Sequence, residues 1–144
     1  MTGWHIAHII VVSLWAGLVA GEGVMELTAR KSGELGVPVA RFHYYLDIFL
    51  ETPLMMLVVL TGMVLLLRTQ PNVALWVKVA AGLGAVASNA ACVVFVIRRN
   101  TIALADANPG SLVRLSDWVR RTAFTGVPLG LLALYLGGHR GGWW

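Results

Sequence analysis

Charge is what this chain has least of. Charged residues make up 12% of it, against about 25% in an ordinary soluble domain. With 58% apolar residues and a mean hydropathy of +0.75, that scarcity excludes a water-soluble globule and predicts a polytopic membrane protein. Cysteine is nearly absent too: Cys92 stands alone, which excludes an internal disulfide and any CxxC metal or redox motif. No Glu-x-x-His pair occurs, so the signature of di-iron bundles is missing. No basic segment precedes the first apolar run and no small-residue cleavage site follows it, so that run reads as a retained span rather than a signal peptide. The net charge of +4 lies mostly between the apolar runs. It therefore reports topology and gives no reason to expect nucleic-acid binding.

Four apolar segments are present, running from Trp4 to Glu26, Phe42 to Leu67, Val73 to Ile97 and Asp117 to Leu136. Each is long enough to cross a hydrocarbon core of ~30 Å. The expectation is an all-α integral membrane four-helix bundle, with residues 1–144 forming one transmembrane domain. The first connection is polar and holds Pro38, the second is tight around Pro71, and the third carries the turn signal Asn108-Pro109-Gly110. Arginine and lysine set the orientation. The first and third connections carry eight (Arg30, Lys31, Arg41, Arg98, Arg99, Arg114, Arg120, Arg121) and the other side three (Arg68, Lys78, Arg140). Both termini should then lie outside, in a bacterial-type inner (plasma) membrane, with Trp4, Trp76, Trp143 and Trp144 at the outer interface.

At 3.6 residues per turn, each segment has one stripe that does not suit lipid. His8, Trp15, Glu22 and Glu26 share a face of the first; His43, Asp47 and Glu51 are spaced four apart on the second. Lys78, Gly82, Ala85, Asn89 and Cys92 line up on the third, and Asp117, Arg121, Pro128 and Tyr135 on the fourth. Stripes of this kind are expected to meet inside a bundle; for Gly82 and Ala85 helix packing is the preferred reading. Depth sorts the polar groups into two layers. Glu22, Glu26, His43, Asp47 and Glu51 form an inner layer, with Glu34, Asp106 and Asp117 at the same end. His5, His8 and Lys78 form an outer layer with His139 and Arg140 just beyond it, and this layer has no acid.

Carboxylates at membrane depth cost a few kcal/mol each or more, so four of them in two adjacent spans need partners. The inner five offer carboxylate and imidazole ligands one helical turn apart, which suits iron, manganese or zinc better than copper(I), an ion that prefers sulfur. Met25, Met55 and Met56 are nearby but read as packing. A proton path is one alternative; an ion-pair network with Arg120, Arg121 and Arg41 is another. Glu51 is deepest and precedes Thr52-Pro53, where proline removes a backbone donor and loosens the helix. His43 lies among Phe42, Tyr44 and Tyr45 at the interface, where simple solvation is its ordinary reading. In the outer layer, His5 and His8 are candidate ligands for a metal or haem iron. Lys78 either snorkels to headgroups or meets an anion such as a haem propionate, a quinone oxygen or a lipid phosphate.

The stretch His8-Ile-Ile-Val-Val-Ser-Leu-Trp15-Ala-Gly and the opening Trp76-Val-Lys78 of the third segment resemble spans one and three of the copper-resistance D-domain proteins and the HemJ-type protoporphyrinogen oxidases. The resemblance covers about a third of the chain. It implies a four-helix bundle with His8 and Lys78 facing a shared interior site and, for the oxidases, haem b ligated by His8. Asn89 stands where those oxidases have a further histidine, and Glu22-Gly-Val-Met-Glu26-Leu replaces the tyrosine- and arginine-rich end of their first span.

Three functions are therefore expected to compete. The first, which the density of acids favours, is a carrier or binding protein for a divalent metal cation using Glu22, Glu26, His43, Asp47 and Glu51. The second is a haem b- or quinone-linked redox protein using His8 and Lys78. The third is a non-catalytic accessory subunit whose polar stripes meet a partner membrane protein; a homodimer could also share a larger site.

Overall fold

The computed structural model describes residues 2–32, 36–105 and 109–141. They form four helices: α1 (Gly3–Ser32), α2 (Val37–Leu67), α3 (Val73–Leu104) and α4 (Pro109–Gly141). Local chemistry sets their starts. Pro38 lies in the first turn of α2, where a missing N–H is harmless. Asn72, in extended conformation at φ −148°, caps α3 by accepting from the Leu75 N–H at 2.8 Å.

The second helix is irregular in the middle. Residues Val37–Leu46 and Thr52–Leu67 are α-helical, and Asp47–Glu51 between them form a π-helical turn. Here the Thr52 N–H reaches back five residues to the Asp47 carbonyl. The cause is local: Pro53 has no N–H to give the Phe49 carbonyl, so the ladder widens just upstream. The wide turn carries both Asp47 and Glu51.

Burial is inverted relative to a water-soluble protein. The largest fully buried side chains are Glu51, Val96, Asp47 and Ser116, while Leu67, Val73, Phe124 and Phe49 are 66% or more exposed. Such a surface needs an apolar solvent. Three helices (Gly3–Lys31, Val37–Leu67 and Val73–Leu104) are long and apolar enough to cross a membrane. The fourth expected span, Asp117–Leu136, does lie within one helix. Its first half carries Arg114, Asp117, Arg120 and Arg121, and by length and composition α4 does not join the other three.

The bundle is built on two pairings. Helix α4 packs along α3, and α1 packs on the Thr52–Leu67 half of α2, whose Val37–Leu46 half in turn lies against α3. Small residues permit the α3–α4 approach: a Cβ at Gly126 would stand 3.1 Å from Ser88 Cβ, and Ala85 sits against Gly130. Around Cys92, Val96 and Val119 a small apolar core includes Tyr44 and Phe95.

The helices are longer than the apolar segments within them, α1 continuing past Glu26 to Ser32 and α3 past Ile97 to Leu104. One expectation fails. The stripe expected on the fourth helix does not face inward: Tyr135 is 56% exposed and Arg121 lies over the exposed Trp118 ring. Ser116 and Val119 are the residues that α4 buries against the inner site and core.

Candidate metal centre

Three helices converge where α1, α2 and α3 carry their buried polar groups. Glu22 and Glu26 are one turn apart on α1; His43 is one turn before Asp47 on α2; Arg99 comes from the part of α3 beyond its expected end. All are buried, Asp47 at 0%, Glu51 at 1%, Arg99 at 2% and His43 at 3% exposure. The solvated reading of His43 is thereby overturned: the Phe42 and Tyr45 rings point outward, and the imidazole points in.

Arg99 organises one side of the cluster. Its Nη1 donates to Glu26 Oε1 at 2.7 Å and Oε2 at 2.8 Å and to Ser116 Oγ at 3.1 Å, and its Nη2 lies 2.8 Å from His43 Nδ1. The arginine partner expected from Arg41, Arg120 or Arg121 is thus Arg99 instead. Arg120 and Arg30 both reach Asp117, at 3.4 and 2.8 Å, nearer the surface. A signal for Arg99 exists in the sequence. Extending the α3 stripe by the same three- and four-residue steps gives Cys92, Val96, Arg99 and Ala103, all buried.

The other side of His43 faces acids. His43 Nε2 is 3.4 Å from Asp47 Oδ1 and 3.8 Å from Glu22 Oε2. One ligand atom from each of Glu22, His43 and Asp47 falls within 4.8 Å of the other two. Ligands ~2.1 Å from a common transition-metal ion stand roughly 3.0–4.2 Å apart in tetrahedral or octahedral geometry, so this trio could hold one ion with a small closing of the three side chains. Glu51, one turn on, faces Glu22, Asp47, Trp15 and Asn89. Glu26 is turned to Arg99, although its Oε2 remains 3.5 Å from His43 Nδ1.

Two features show what the pocket lacks. Glu22 Oε1, both Asp47 oxygens and Glu51 Oε1 are buried with no hydrogen-bond donor, and such oxygens need a proton or a cation. Four carboxyls also share one guanidinium, so the three that Arg99 does not reach are balanced either by protons or by a cation. The imidazole geometry adds a condition. A guanidinium only donates, so the 2.8 Å contact makes His43 Nδ1 an acceptor and puts the ring proton on Nε2, toward the acids. Ligation through Nε2 requires the other tautomer, with Nδ1–H donated to Glu26 Oε2, the carboxylate–histidine–metal arrangement.

The outer-layer residues lie elsewhere. His8 Nδ1 is 2.7 Å from Thr61 Oγ1, whose hydroxyl donates to the Leu57 carbonyl, and a Cβ at Gly62 would come within 3.3 Å of His8 Cε1. Lys78 is within electrostatic reach of His8 and extends to Gly137 of α4. His5 bonds Thr2 at 2.7 Å. Arg68 sits 5.8 Å over the Trp4 ring at this end. Glu34, Asp106, Trp143 and Trp144, and the side chains of His139 and Arg140, lie outside the described residues. The chain matches no protein-family model, no curated protein and no solved structure.

Proposed function

We propose that this chain is a multi-pass membrane protein that binds a divalent metal cation, and passes it across the bilayer, through Glu22, His43 and Asp47. The observation that carries this reading is the buried group of three ligands converging from two helices, with carboxylate oxygens that no protein donor reaches. Two oxygens and one imidazole nitrogen suit iron, manganese or zinc over copper(I). Glu51, deeper and equally dry, is the next stop for an ion leaving the trio toward the bilayer centre. Glu26 and Arg99 are positioning residues: Arg99 fixes the Glu26 carboxylate beside His43, and Glu26 Oε2 accepts the Nδ1–H when Nε2 ligates, the Arg99 contact to Nδ1 giving way. With seven basic residues outside the pocket at the cluster end, Arg99 being buried in it, against three at the other, the bias supports a site at the cytoplasmic side of a bacterial-type inner membrane, with both termini outside when α4 crosses as the fourth span. Three ligands leave coordination positions for water or for groups from a second copy.

The test is elemental analysis of the detergent-purified full chain after equilibration with iron(II), manganese or zinc. Near-stoichiometric metal, lost in the Glu22→Gln/Asp47→Asn double variant, is the expected result. Unchanged retention in that variant, or none in the parent, would overturn the reading.

One observation favours a second reading. With His8 Nδ1 engaged by Thr61, the free edge for ligation is Nε2, the orientation a haem-ligating histidine takes, and Lys78 is near enough to meet an anionic substituent. Under that reading the protein is a haem b- or quinone-linked redox protein of the group it resembles, and the inner acids move protons. A Soret band in the purified protein that His8→Ala removes would establish its haem form; a colourless protein holding no extractable quinone would end it.

A further inference from the structure

A second polar feature lies at the same end of the bundle but on its outside. The C-terminal turns of α3 and the first turns of α4 diverge to leave an open cleft of about 340 Å³. Arg98 and Thr101 line it from α3, Ser111 and Arg114 from α4, and Ile97 and Leu115 form its apolar wall. Arg98 follows directly on the buried Val96 and exposed Ile97 and points away from the metal centre, which Arg99 enters. Among the described residues neither Arg98 nor Arg114 pairs with a carboxylate; the acid of this region, Asp117, is taken by Arg30 and Arg120. Apolar side chains continue outward from the cleft along both helices, with Val94 and Val113 each 48% exposed.

We propose that this cleft is a binding site for the phosphate of an anionic phospholipid. The positional argument is that two guanidiniums with no carboxylate partner among the described residues, one per helix, stand where the lipid-facing apolar surface ends. Guanidiniums bind phosphate oxygens through paired N–H donors, and the Ser111 hydroxyl adds a neutral donor within the same cleft, whereas the Thr101 hydroxyl donates to the Ile97 carbonyl. The acyl chains then run along Ile97 and Val94 toward the bilayer centre. Basic clefts between helices at the membrane boundary favour anionic headgroups in this manner. The inference needs only that α3 crosses a bilayer and is independent of the cation site.

The test is native mass spectrometry of the full chain released from micelles carrying phosphatidylglycerol or phosphatidylcholine, with Arg98→Gln, Arg114→Gln and the double variant. The expected result is one retained phosphatidylglycerol, preferred over phosphatidylcholine, weakened roughly five-fold by each substitution and about 25-fold by both. Arg68→Gln, at the opposite end, should leave retention unchanged. The Arg98→Lys/Arg114→Lys variant, which keeps the charge and loses the paired donors, should fall between parent and double variant, and it serves if the glutamine pair does not fold. Equal retention of the two lipids, or retention indifferent to both arginine substitutions, would overturn the proposal. So would full displacement of the lipid by inorganic phosphate at matched concentration, which would make the cleft a site for small anions.

Discussion

Replacing Arg99 by methionine tests the account of the buried cluster most directly. The guanidinium is 2% exposed and makes four contacts of 2.7 to 3.1 Å with Glu26, His43 and Ser116. Methionine fills similar space, so packing loss is small and the effect is electrostatic. Breaking a buried pair by removing one partner costs about 3–5 kcal/mol, because the other charge stays buried without compensation. Here the orphan is Glu26, and three further carboxyls crowd the same pocket, so the upper half of that range is expected. Removing both partners is different: an apolar pair of matched volume is often neutral or better. The Arg99→Met/Glu26→Met variant should therefore recover most of the loss, giving a coupling of about 2 kcal/mol or more in the double-mutant cycle. Reversible unfolding of the full chain in mixed micelles, followed by circular dichroism at several denaturant fractions, measures all four corners. Additivity within about 0.5 kcal/mol, or an Arg99→Met loss below about 1 kcal/mol, would refute the claim that this pair balances charge in a dry site. Divalent metal sharpens the result. If the cation compensates the same acids, zinc should stabilise Arg99→Met at least as much as the parent, through the linkage that any native-state ligand obeys.

Other outcomes follow from the same geometry. Zinc binding should move the His43 proton from Nε2 to Nδ1, read as an exchange of imidazole nitrogen shifts in labelled protein; Glu26→Gln should weaken binding by about 10- to 100-fold without removing a ligand. Pro53→Ala restores the missing N–H, letting the Asp47–Glu51 turn tighten toward an ordinary α-helix; slower amide exchange across residues 47–53 together with weaker metal retention is expected. Gly126→Val places a side chain against Ser88 and should destabilise the α3–α4 packing by about 1–3 kcal/mol, seen in the same micelle unfolding assay, with the metal content of the folded fraction unchanged. Glu51→Gln should leave metal stoichiometry near the parent's but slow metal flux into vesicles, because Glu51 lies beyond the trio.

The helical class and the first three spans were legible because they rest on composition and length, which survive errors of a few residues. The meeting of Glu22, His43 and Asp47 was legible for the same kind of reason: residues four apart on a helix share a face, and depth pairs the two helices. Arg99 was not. Counting arginines as loop markers places it outside the bilayer, whereas the helix runs seven residues past Ile97 and carries it inward on the face that begins with Cys92. Helix α4 misled for a related reason. Its charged stripe looks like an interior face, but Asp117 finds Arg30 near the surface and Arg121 finds Trp118, so the packing face is the quieter one of Ser116 and Val119. Pro53 signalled a weak point in α2, while the π-helical form of the turn depends on backbone bonds that residue types do not spell out.

Helix length and site chemistry are connected through Arg99. A helix ending near Ile97 would span the hydrocarbon, yet α3 extends through Leu104, and only that extension lets one arginine enter the pocket from the basic end while its neighbour Arg98 stays outside. Adjacent residues thereby do opposite jobs, because 100° per residue separates them around the helix. Arg99 neutralises Glu26 and orients His43, leaving Glu22, Asp47 and Glu51 as the part of the pocket that still calls for positive charge. A second buried arginine would have closed the site as a structural ion-pair network. One arginine against four carboxyls leaves the other three to be balanced by protons or by a cation, and that competition is what a metal titration reads.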